Sequence, residues 1–335
     1  MDNLQISLWV VVTLVTVALL FDFMNGFHDA ANSIATIVST RVLKPHQAVI
    51  WAAAFNFLAY FLFQLKVAST IGKGTIDPSI VDHYVVFGAL IGAIVWNVIT
   101  WYYGIPSSSS HALVGGLVGA ALAKSGIDGL ITAGVLKIIA FIFVAPFLGF
   151  VIGGALMVIV SWICRKMAPR KVDKYFRRFQ LLSAAAYSLG HGGNDAQKTV
   201  GIIWMLLIAA GISHSTDPIP GWVVLCCYTA MGLGTMFGGW RIVKTMGNRI
   251  TKLNQARGFC ANSGGAVTLF LATAFGIPVS TTHTITGAIA GVGSTRGARR
   301  VRWGVARGIV WAWVLTIPCS AAMSAIAWYF GTLVL

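Results

Sequence analysis

Long apolar runs separated by short polar segments fill most of the 335-residue chain. Several runs approach or exceed the roughly 20 residues that an α-helix needs to cross a bilayer. The pattern predicts an all-α, polytopic membrane protein built as a helical bundle. The run 130–164 would be about 50 Å long as one straight helix, so we expect it to tilt or to break near Pro146. The runs cover residues 6–20, 48–65, 85–103, 130–164, 181–212, 222–240, 266–275 and 303–335.

Composition and charge agree with this class and add an orientation. Hydrophobic residues make up 57% of the chain and charged residues only 10%, which excludes an ordinary soluble domain. The net charge of +15 does not indicate nucleic acid, because most of the 24 Lys and Arg residues fall in four loops between apolar runs. The positive-inside rule predicts that these loops are cytoplasmic and that both chain termini lie on the opposite side. The basic loops are residues 41–46, 165–178, 241–257 and 296–302.

The chain contains an internal repeat. Gly104-Ile-Pro106 recurs as Gly276-Ile-Pro278, and His111 recurs as His283 at the same separation of 172 residues. Upstream, the segment 26–30 (GFHDA) recurs as 192–196 (GGNDA). About five crossings precede the linker 165–178 and about five follow it, so the second half is predicted to be inverted, as in many transporters. We therefore predict two inverted-topology repeats, residues 1–164 and 179–335, with broken helices and helical hairpins, that together form one transport unit.

One pair of repeated motifs places carboxylates inside apolar spans. Residues 25–33 (NGFHDAANS) and 191–199 (HGGNDAQKT) combine glycine with Asp, Asn and His, although an Asp at a helix centre costs about 2.5–3.5 kcal/mol. Glycine permits local unwinding that frees carbonyls for a cation, and the side chains offer oxygen ligands or proton acceptors. The alternative is interhelical hydrogen bonding alone. The candidates for the coupling ion or proton are Asp22, Asn25, His28, Asp29, His191, Asn194 and Asp195.

A second pair of motifs fits an anion. Residues 106–111 (PSSSSH) and 278–283 (PVSTTH) combine Pro, capping hydroxyls and a closing histidine, His111 or His283, where a helix should restart. Two helix starts in opposed halves could converge on one tetrahedral anion, whereas a single copy would indicate only capping. Neutral donors would hold the anion weakly enough for release, and the nearby aspartates would require an accompanying proton, Na⁺ or divalent metal. The hydroxyl candidates are Ser108, Ser109, Ser110, Ser280, Thr281 and Thr282.

With these four motifs in order, the chain resembles the inorganic phosphate transporter family over nearly its whole length. The resemblance implies that phosphate lies between the two hairpin tips and that Asp29, Asn32, Asp195 and Gln197 surround it or its coupling cation. It is closest to the bacterial low-affinity, proton-coupled branch, which is associated with neutral complexes of phosphate and a divalent metal such as Mg²⁺. This implies a homodimer in the bacterial inner membrane, without a resident cofactor, and leaves metal ligands unassigned.

The chain also departs from the usual family signature. His28 replaces an Asn, Gln197-Lys198 replaces Ala-Asn, and Asn56 and Asn262 stand where sodium-coupled animal relatives have glutamates. These changes favour protons over Na⁺. Sulfate permease activity and Na⁺-coupled phosphate symport stay open as alternatives, as does a passive anion channel. A membrane-embedded hydrolase is disfavoured by the absence of a Gly-x-Ser-x-Gly elbow, so we predict that the chain is not an enzyme.

Overall fold

The computed structural model describes residues 6–334, which fold almost entirely into α-helices. One isolated β-bridge, between Ile76 and Leu130, is the only strand-like pairing in that part of the chain. The predicted all-α class is therefore confirmed, whereas the predicted placement of the two chain ends lies outside the described residues. The helices are α1 (Leu8–Ser39), α2 (Pro45–Leu58), α3 (Lys66–Gly74), α4 (His83–Tyr103), α5 (Ser109–Ser125), α6 (Thr132–Ile163), α7 (Pro169–Ala209), α8 (Gly221–Phe237), α9 (Trp240–Asn248), α10 (Gln255–Ala274), α11 (Thr281–Ser294) and α12 (Trp303–Val334).

Some of these helices are long and apolar enough to cross a membrane by themselves. They are α1, α4, α6 and α12 within residues 6–334, and the number rises to six if each of two bent pairs forms one span. The pair α2–α3 bends by 80° and the pair α8–α9 by 74°. Helices α5 and α11, about 26 and 21 Å long, are shorter than the roughly 30 Å hydrocarbon core. Length and composition of the helices thus do not reproduce the predicted ten crossings.

The outer surface of α6 has the character expected for contact with lipid. Leu136, Phe143, Phe147, Val158 and Trp162 are each more than half exposed and recur along one side of the helix. A continuous exposed apolar face of this length is unfavourable in water and favourable against hydrocarbon or another apolar surface. The face therefore supports the membrane class.

Two local predictions are wrong, because α1 and α7 run without interruption through the carboxylate motifs that we expected to unwind. Helix α6 runs without interruption through Pro146, so of the two expected alternatives, tilt or a break, the break does not occur. The glycines of the carboxylate motifs serve close packing: a Cβ on Gly26 would lie 2.1 Å from the Met231 carbonyl oxygen, and one on Gly192 would lie 2.3 Å from that of Asn56. Small residues at such contacts let helix backbones approach each other in a membrane.

The basic segment 241–257 is also not a loop. It contains most of α9, which packs against α1 so closely that a Cβ on Gly247 would lie 2.8 Å from the Ala35 carbonyl oxygen. The segment then enters the first turn of α10. Most of its basic side chains, those of Arg241, Lys244 and Arg257, therefore project from helices.

Buried apolar side chains form two clusters with a polar layer between them. Residues 11–21 of α1 belong to the first cluster and residues 31–37 to the second, whereas α7 contributes residues 184–187 to the second and 196–207 to the first. The two helices therefore run in opposite directions between the clusters. Their carboxylate motifs lie in the intervening layer, where polar side chains are almost completely buried.

The two sequence halves interleave. Helix α5 of the first half packs between α4 and α12, and a Cβ on Gly119 would lie 2.1 Å from the Ala321 carbonyl oxygen of α12. Helix α11 of the second half packs on α6 in the same manner, and a Cβ on Gly287 would lie 2.1 Å from the Pro146 carbonyl oxygen. Each short helix is thus anchored to a long helix of the other half.

Candidate functional site

The two hairpin tips have the same local geometry. The turn after α4 passes through Gly104 and the turn after α10 through Gly276, each with φ of +66°, a left-handed conformation that favours glycine. Ser108 and Ser280 then cap α5 and α11, because their hydroxyl oxygens accept hydrogen bonds of 3.2 Å from the backbone N–H groups of the histidines three residues later. The predicted helix restarts and caps are therefore present in both copies.

The N-termini of α5 and α11 point into the polar layer from opposite sides. The body of α5 extends into the first apolar cluster and the body of α11 into the second, so the first turns of both helices lie near the centre. N–H groups in the first turn of a helix lack intrahelical partners, and the helix dipole adds partial positive charge there. The hydroxyls of Ser109, Ser110, Thr281 and Thr282 lie in these turns and are at most 5% exposed.

Helix α1 holds the first tip. The Ser109 hydroxyl lies 2.8 Å from Asp29 Oδ2 and 2.6 Å from Asn25 Oδ1, and it can donate to only one of them at a time. Asp29 Oδ1 is 2.6 Å from His28 Nδ1, while His28 Nε2 lies 3.1 Å from the Thr100 hydroxyl. Because a hydrogen bond to a carboxylate is stronger than one to a neutral amide, the hydroxyl expected to bind the anion is engaged by Asp29.

Helix α7 holds the second tip. The Thr281 hydroxyl donates to Asp195 Oδ2 at 3.0 Å, as Ser109 does to Asp29. Asn194 donates to the Ile277 carbonyl at 3.1 Å and accepts from the Val279 N–H at 3.1 Å. Asn194 therefore positions the backbone of the tip, whereas Asp195 engages its hydroxyl.

Further contacts join the two tips to each other. Ser110 of the first tip donates to Asp195 Oδ1 at 3.3 Å, and Asn32 Nδ2 lies 3.2 and 2.9 Å from the hydroxyls of Thr281 and Thr282. The rings of His111 and His283 lie 4.5 Å apart in an edge-to-face arrangement. The structure accordingly brings together side chains that are separated by up to 250 residues in the sequence.

Two candidates from the sequence occupy other positions. Gln197 accepts hydrogen bonds from the N–H groups of Val67 (3.0 Å) and Ala68 (3.3 Å) and donates to the Gln64 carbonyl (3.0 Å), so it fixes the start of α3. Asp22 lies one turn before Asn25, and its Oδ2 has no hydrogen-bond partner within residues 6–334. Neither side chain contacts a tip hydroxyl.

Lys198 also belongs to the site, although the sequence pattern predicts binding roles only for its neighbours, such as Asp195 and Gln197. Its ammonium donates to Asp195 Oδ1, to the Ser110 hydroxyl at 2.5 Å and to the Val279 carbonyl at 2.8 Å. The spacing of three residues places Lys198 and Asp195 on one face of α7. This spacing could have predicted the contact between Lys198 and Asp195 from the sequence.

Cation ligands are also close together in the polar layer. Asp29, His191 and Asp195 each offer one ligand atom, and these three atoms lie within 4.8 Å of one another. His191 Nε2 lies 3.3 Å from Asp195 Oδ2, and its Nδ1 lies 3.2 Å from Asn56 Oδ1. The arrangement could hold a small cation or exchange a proton between carboxylate and imidazole.

Comparison with known proteins gives consistent matches. The profile described as "Phosphate transporter family" matches residues 25–324. The chain is 59% identical over 323 residues to a "Probable low-affinity inorganic phosphate transporter" of Rhizobium meliloti (strain 1021), covering 96% of this chain and 97% of that protein. A Bacillus subtilis (strain 168) protein of the same description is 47% identical over 328 residues, covering 97% and 98%. The solved structure titled "The sodium-dependent phosphate transporter" is 28% identical, with a TM-score of 0.91 and coverage of 98% and 100%.

Proposed function

The chain belongs to the phosphate transporter family, and from that premise we propose that it imports inorganic phosphate by symport with protons. The relatives are named as transporters, in agreement with the prediction that the chain is not an enzyme. One observation carries the proposal: the hydroxyls of two converging helix starts donate to buried carboxylates. The same hydroxyls would serve as donors to a phosphate oxygen.

We place phosphate between the two tips. Helix N-termini favour anions through their free N–H groups and their dipoles, and here two of them approach from opposite sides. The hydroxyls of Ser109, Thr281 and Thr282 and the amide of Asn32 would supply further neutral donors. Ser108 and Ser280 accept in their caps but keep an O–H for an anion. Neutral bonds of about 0.5–1.5 kcal/mol each allow the release that a carrier needs.

Competition for hydroxyl hydrogens would couple the proton to phosphate. While Asp29 and Asp195 are ionised, they hold the Ser109 and Thr281 hydroxyls through charge-assisted hydrogen bonds. Protonation of the carboxylate weakens its attraction for these hydroxyls and removes a negative charge beside the anion. Proton and phosphate therefore favour each other's binding, as symport requires. His28 and His191, next to the two carboxylates, would pass the proton on.

Phosphate fits the acceptors of the site better than sulfate does. Monohydrogen and dihydrogen phosphate carry O–H groups that can donate to Asp29 or Asp195, whereas sulfate near neutral pH carries none. A carboxylate that stays ionised while the other is protonated would keep an unsatisfied charge when it faces sulfate, a large penalty. Binding of phosphate together with a divalent metal is compatible with the ligand atoms of Asp29, His191 and Asp195.

The proposed architecture follows from the same layer. The opposite directions of α1 and α7 between the two apolar clusters support inverted halves. We also propose that the protein is a homodimer in the bacterial inner membrane, with the segments 41–46, 165–178, 241–257 and 296–302 on the cytoplasmic side. The exposed apolar face of α6 offers surface for lipid or for a second copy.

Uptake into proteoliposomes tests the proposal. With Na⁺ replaced by choline, an inward proton gradient is expected to drive accumulation of labelled phosphate, because the protein's own carboxylates accept the coupling proton. Arsenate should compete and sulfate should not. A requirement for Na⁺ would contradict proton coupling and indicate Na⁺ symport. Competition by sulfate would favour the sulfate permease alternative. Phosphate flux that does not depend on a proton or Na⁺ gradient would indicate a channel. Varying Mg²⁺ at fixed pH shows whether metal accompanies phosphate.

A further inference from the structure

Lys198 has the coordination of a bound metal ion. Its buried ammonium contacts a carboxylate oxygen of Asp195, the hydroxyl oxygen of Ser110 and the backbone carbonyl oxygen of Val279. These three oxygens come from α7, from the first tip and from the second tip. Carboxylate, hydroxyl and carbonyl oxygens are the ligands that hard cations take in proteins, including the coupling cations of transporters. The ammonium thus occupies a ready-made cation position.

The other ionisable groups of the polar layer either pair with a neighbouring residue or lie away from the tip hydroxyls. Asp29 is paired with His28 at 2.6 Å, and Asp195 is paired with Lys198 and approached by His191. Within residues 6–334, Lys198 is the only Lys or Arg among the buried polar residues. One permanent cation consequently neutralises one of the two tip-binding carboxylates and lies beside the hydroxyls of both tips. A phosphate between the tips would meet that positive charge without any ion being taken from solution.

We propose that Lys198 is a tethered cation that takes the place of a dissociable Na⁺ and makes phosphate binding independent of Na⁺. The proposal rests on phosphate lying between the two tips, as argued above. Lys198 also bridges the tips directly, so it would hold them together. A tethered ammonium is not itself transported, so this position supplies no cation that moves with phosphate.

Replacing Lys198 with asparagine tests this role. The shorter amide leaves the oxygens of Asp195, Ser110 and Val279 available to a solvent cation, so phosphate uptake by K198N is expected to rise about tenfold when choline is replaced by Na⁺. Wild-type uptake should be the same in both salts. The matched control is K124N, because Lys124 also pairs with an aspartate, Asp82, at 2.6 Å but on the surface. K124N should remain indifferent to Na⁺.

Several outcomes would overturn the tethered-cation role. Wild-type uptake stimulated by Na⁺, or labelled Na⁺ entering with phosphate in wild type, would show that a dissociable ion is still needed. A folded K198N that transports equally in Na⁺ and choline would show that the position does not bind a cation. If K198N fails to accumulate in the membrane, the same comparison is made with K198Q, and equal uptake of phosphate by K198Q in Na⁺ and in choline would overturn the role. Absence of any phosphate uptake by wild type would instead contradict the proposed function.

A second observation concerns the protein surface. Basic side chains line a cavity of about 370 Å³, hereafter the basic cavity, and no acidic side chain of the described residues lines it. None of these side chains forms an ion pair within residues 6–334. Thr251 completes the lining, and the basic lining residues are Lys252, Arg257, Arg296, Arg299, Arg300 and Arg302.

The backbone around the basic cavity is fixed rather than loose. The Arg302 N–H donates to the Ile250 carbonyl at 2.9 Å, and the Thr251 hydroxyl donates to the Arg300 carbonyl at 3.1 Å. Arg257 donates to the Lys252 carbonyl at 2.6 Å, while its buried Nε has no partner among the described residues. The guanidinium groups are thereby gathered in one concave site despite their mutual repulsion, which a bound anion would relieve.

We infer that the basic cavity binds a small molecule or headgroup that carries phosphoryl groups. Arginine forks match phosphate oxygens with paired hydrogen bonds. The volume lies within the range of about 300–1,000 Å³ that is typical of small-molecule sites. The same phosphoryl chemistry is offered by a soluble polyphosphate such as ATP and by the headgroup of an anionic phospholipid. Measurements with each of the two probes distinguish these sources.

Thermal unfolding of the purified protein tests the basic cavity. ATP is added in neutral detergent for the soluble source, and phosphatidylglycerol is compared with phosphatidylcholine in nanodiscs for the lipid source. Whichever probe raises the Tm of wild type should lose that effect in R296Q/R299Q/R300Q and keep it in R170Q/K171Q/K174Q, which removes the same charge from α7. No shift with either probe, or equal loss in both variants, would overturn the inference.

Discussion

Asn in place of Asp29 is expected to abolish concentrative phosphate uptake while phosphate exchange continues. The amide keeps the shape of the carboxylate and can still accept from Ser109, but it carries no charge and cannot take up or release a proton. The site would then behave as if permanently protonated, so phosphate could bind and cross without drawing on the proton gradient. Proteoliposomes loaded with unlabelled phosphate measure exchange, and empty vesicles under a proton gradient measure accumulation.

The comparison requires a matched control. D82N removes an aspartate that caps α4 and pairs with Lys124 on the surface, and it should leave accumulation unchanged. Asp29 is preferred to Asp195 as the target because asparagine at 195 would leave the buried Lys198 ammonium unpaired, at a cost of about 3–5 kcal/mol. Full accumulation by D29N would remove Asp29 from the coupling mechanism.

Loss of both tip hydroxyls should have the second large effect. The double variant S109A/T281A removes one hydroxyl from each tip, and apparent phosphate affinity is expected to fall roughly 5- to 150-fold, from two neutral hydrogen bonds of about 0.5–1.5 kcal/mol each. The side chains are small and the helix caps are untouched, because Ser108 and Ser280 provide them. Concentration dependence of initial uptake gives the apparent affinity.

The matched control changes hydroxyls at the far ends of the same helices. Ser125 donates to the Ala121 carbonyl at the end of α5, and Ser294 donates to the Gly291 carbonyl at the end of α11. S125A/S294A should therefore retain wild-type affinity. Equal apparent phosphate affinity in S109A/T281A and in wild type would show that the hydroxyls of Ser109 and Thr281 have a purely structural role.

The local chemistry of the tips could be predicted from sequence because it depends on neighbours in the chain. A proline, a capping hydroxyl and a preceding glycine determine where a helix ends and restarts, and both copies follow that rule at Gly104 and Gly276. The same local reasoning failed for Gly26 and Gly192. A glycine within a helix can permit unwinding or close packing, and the choice depends on the helix opposite it, here α8 or α2.

Long-range partners explain the other differences. Gln197 and Lys198 are adjacent in sequence, yet one caps α3 and the other bridges both tips, because consecutive residues of a helix point about 100° apart. The interleaving of α5 with α12 and of α11 with α6 likewise depends on which glycine-bearing faces meet.

Hydropathy and helix capping act over one or two helical turns, so the all-α membrane class and the paired carboxylate and hydroxyl motifs follow from the sequence. The contacts of Ser109 with Asp29, of Thr281 with Asp195 and of Lys198 with both tips depend on the tertiary fold. These contacts result from burial. In a polar layer between two apolar clusters, an unpaired charge or hydroxyl is costly, and the partners of the tip hydroxyls and of Lys198 come from distant parts of the chain.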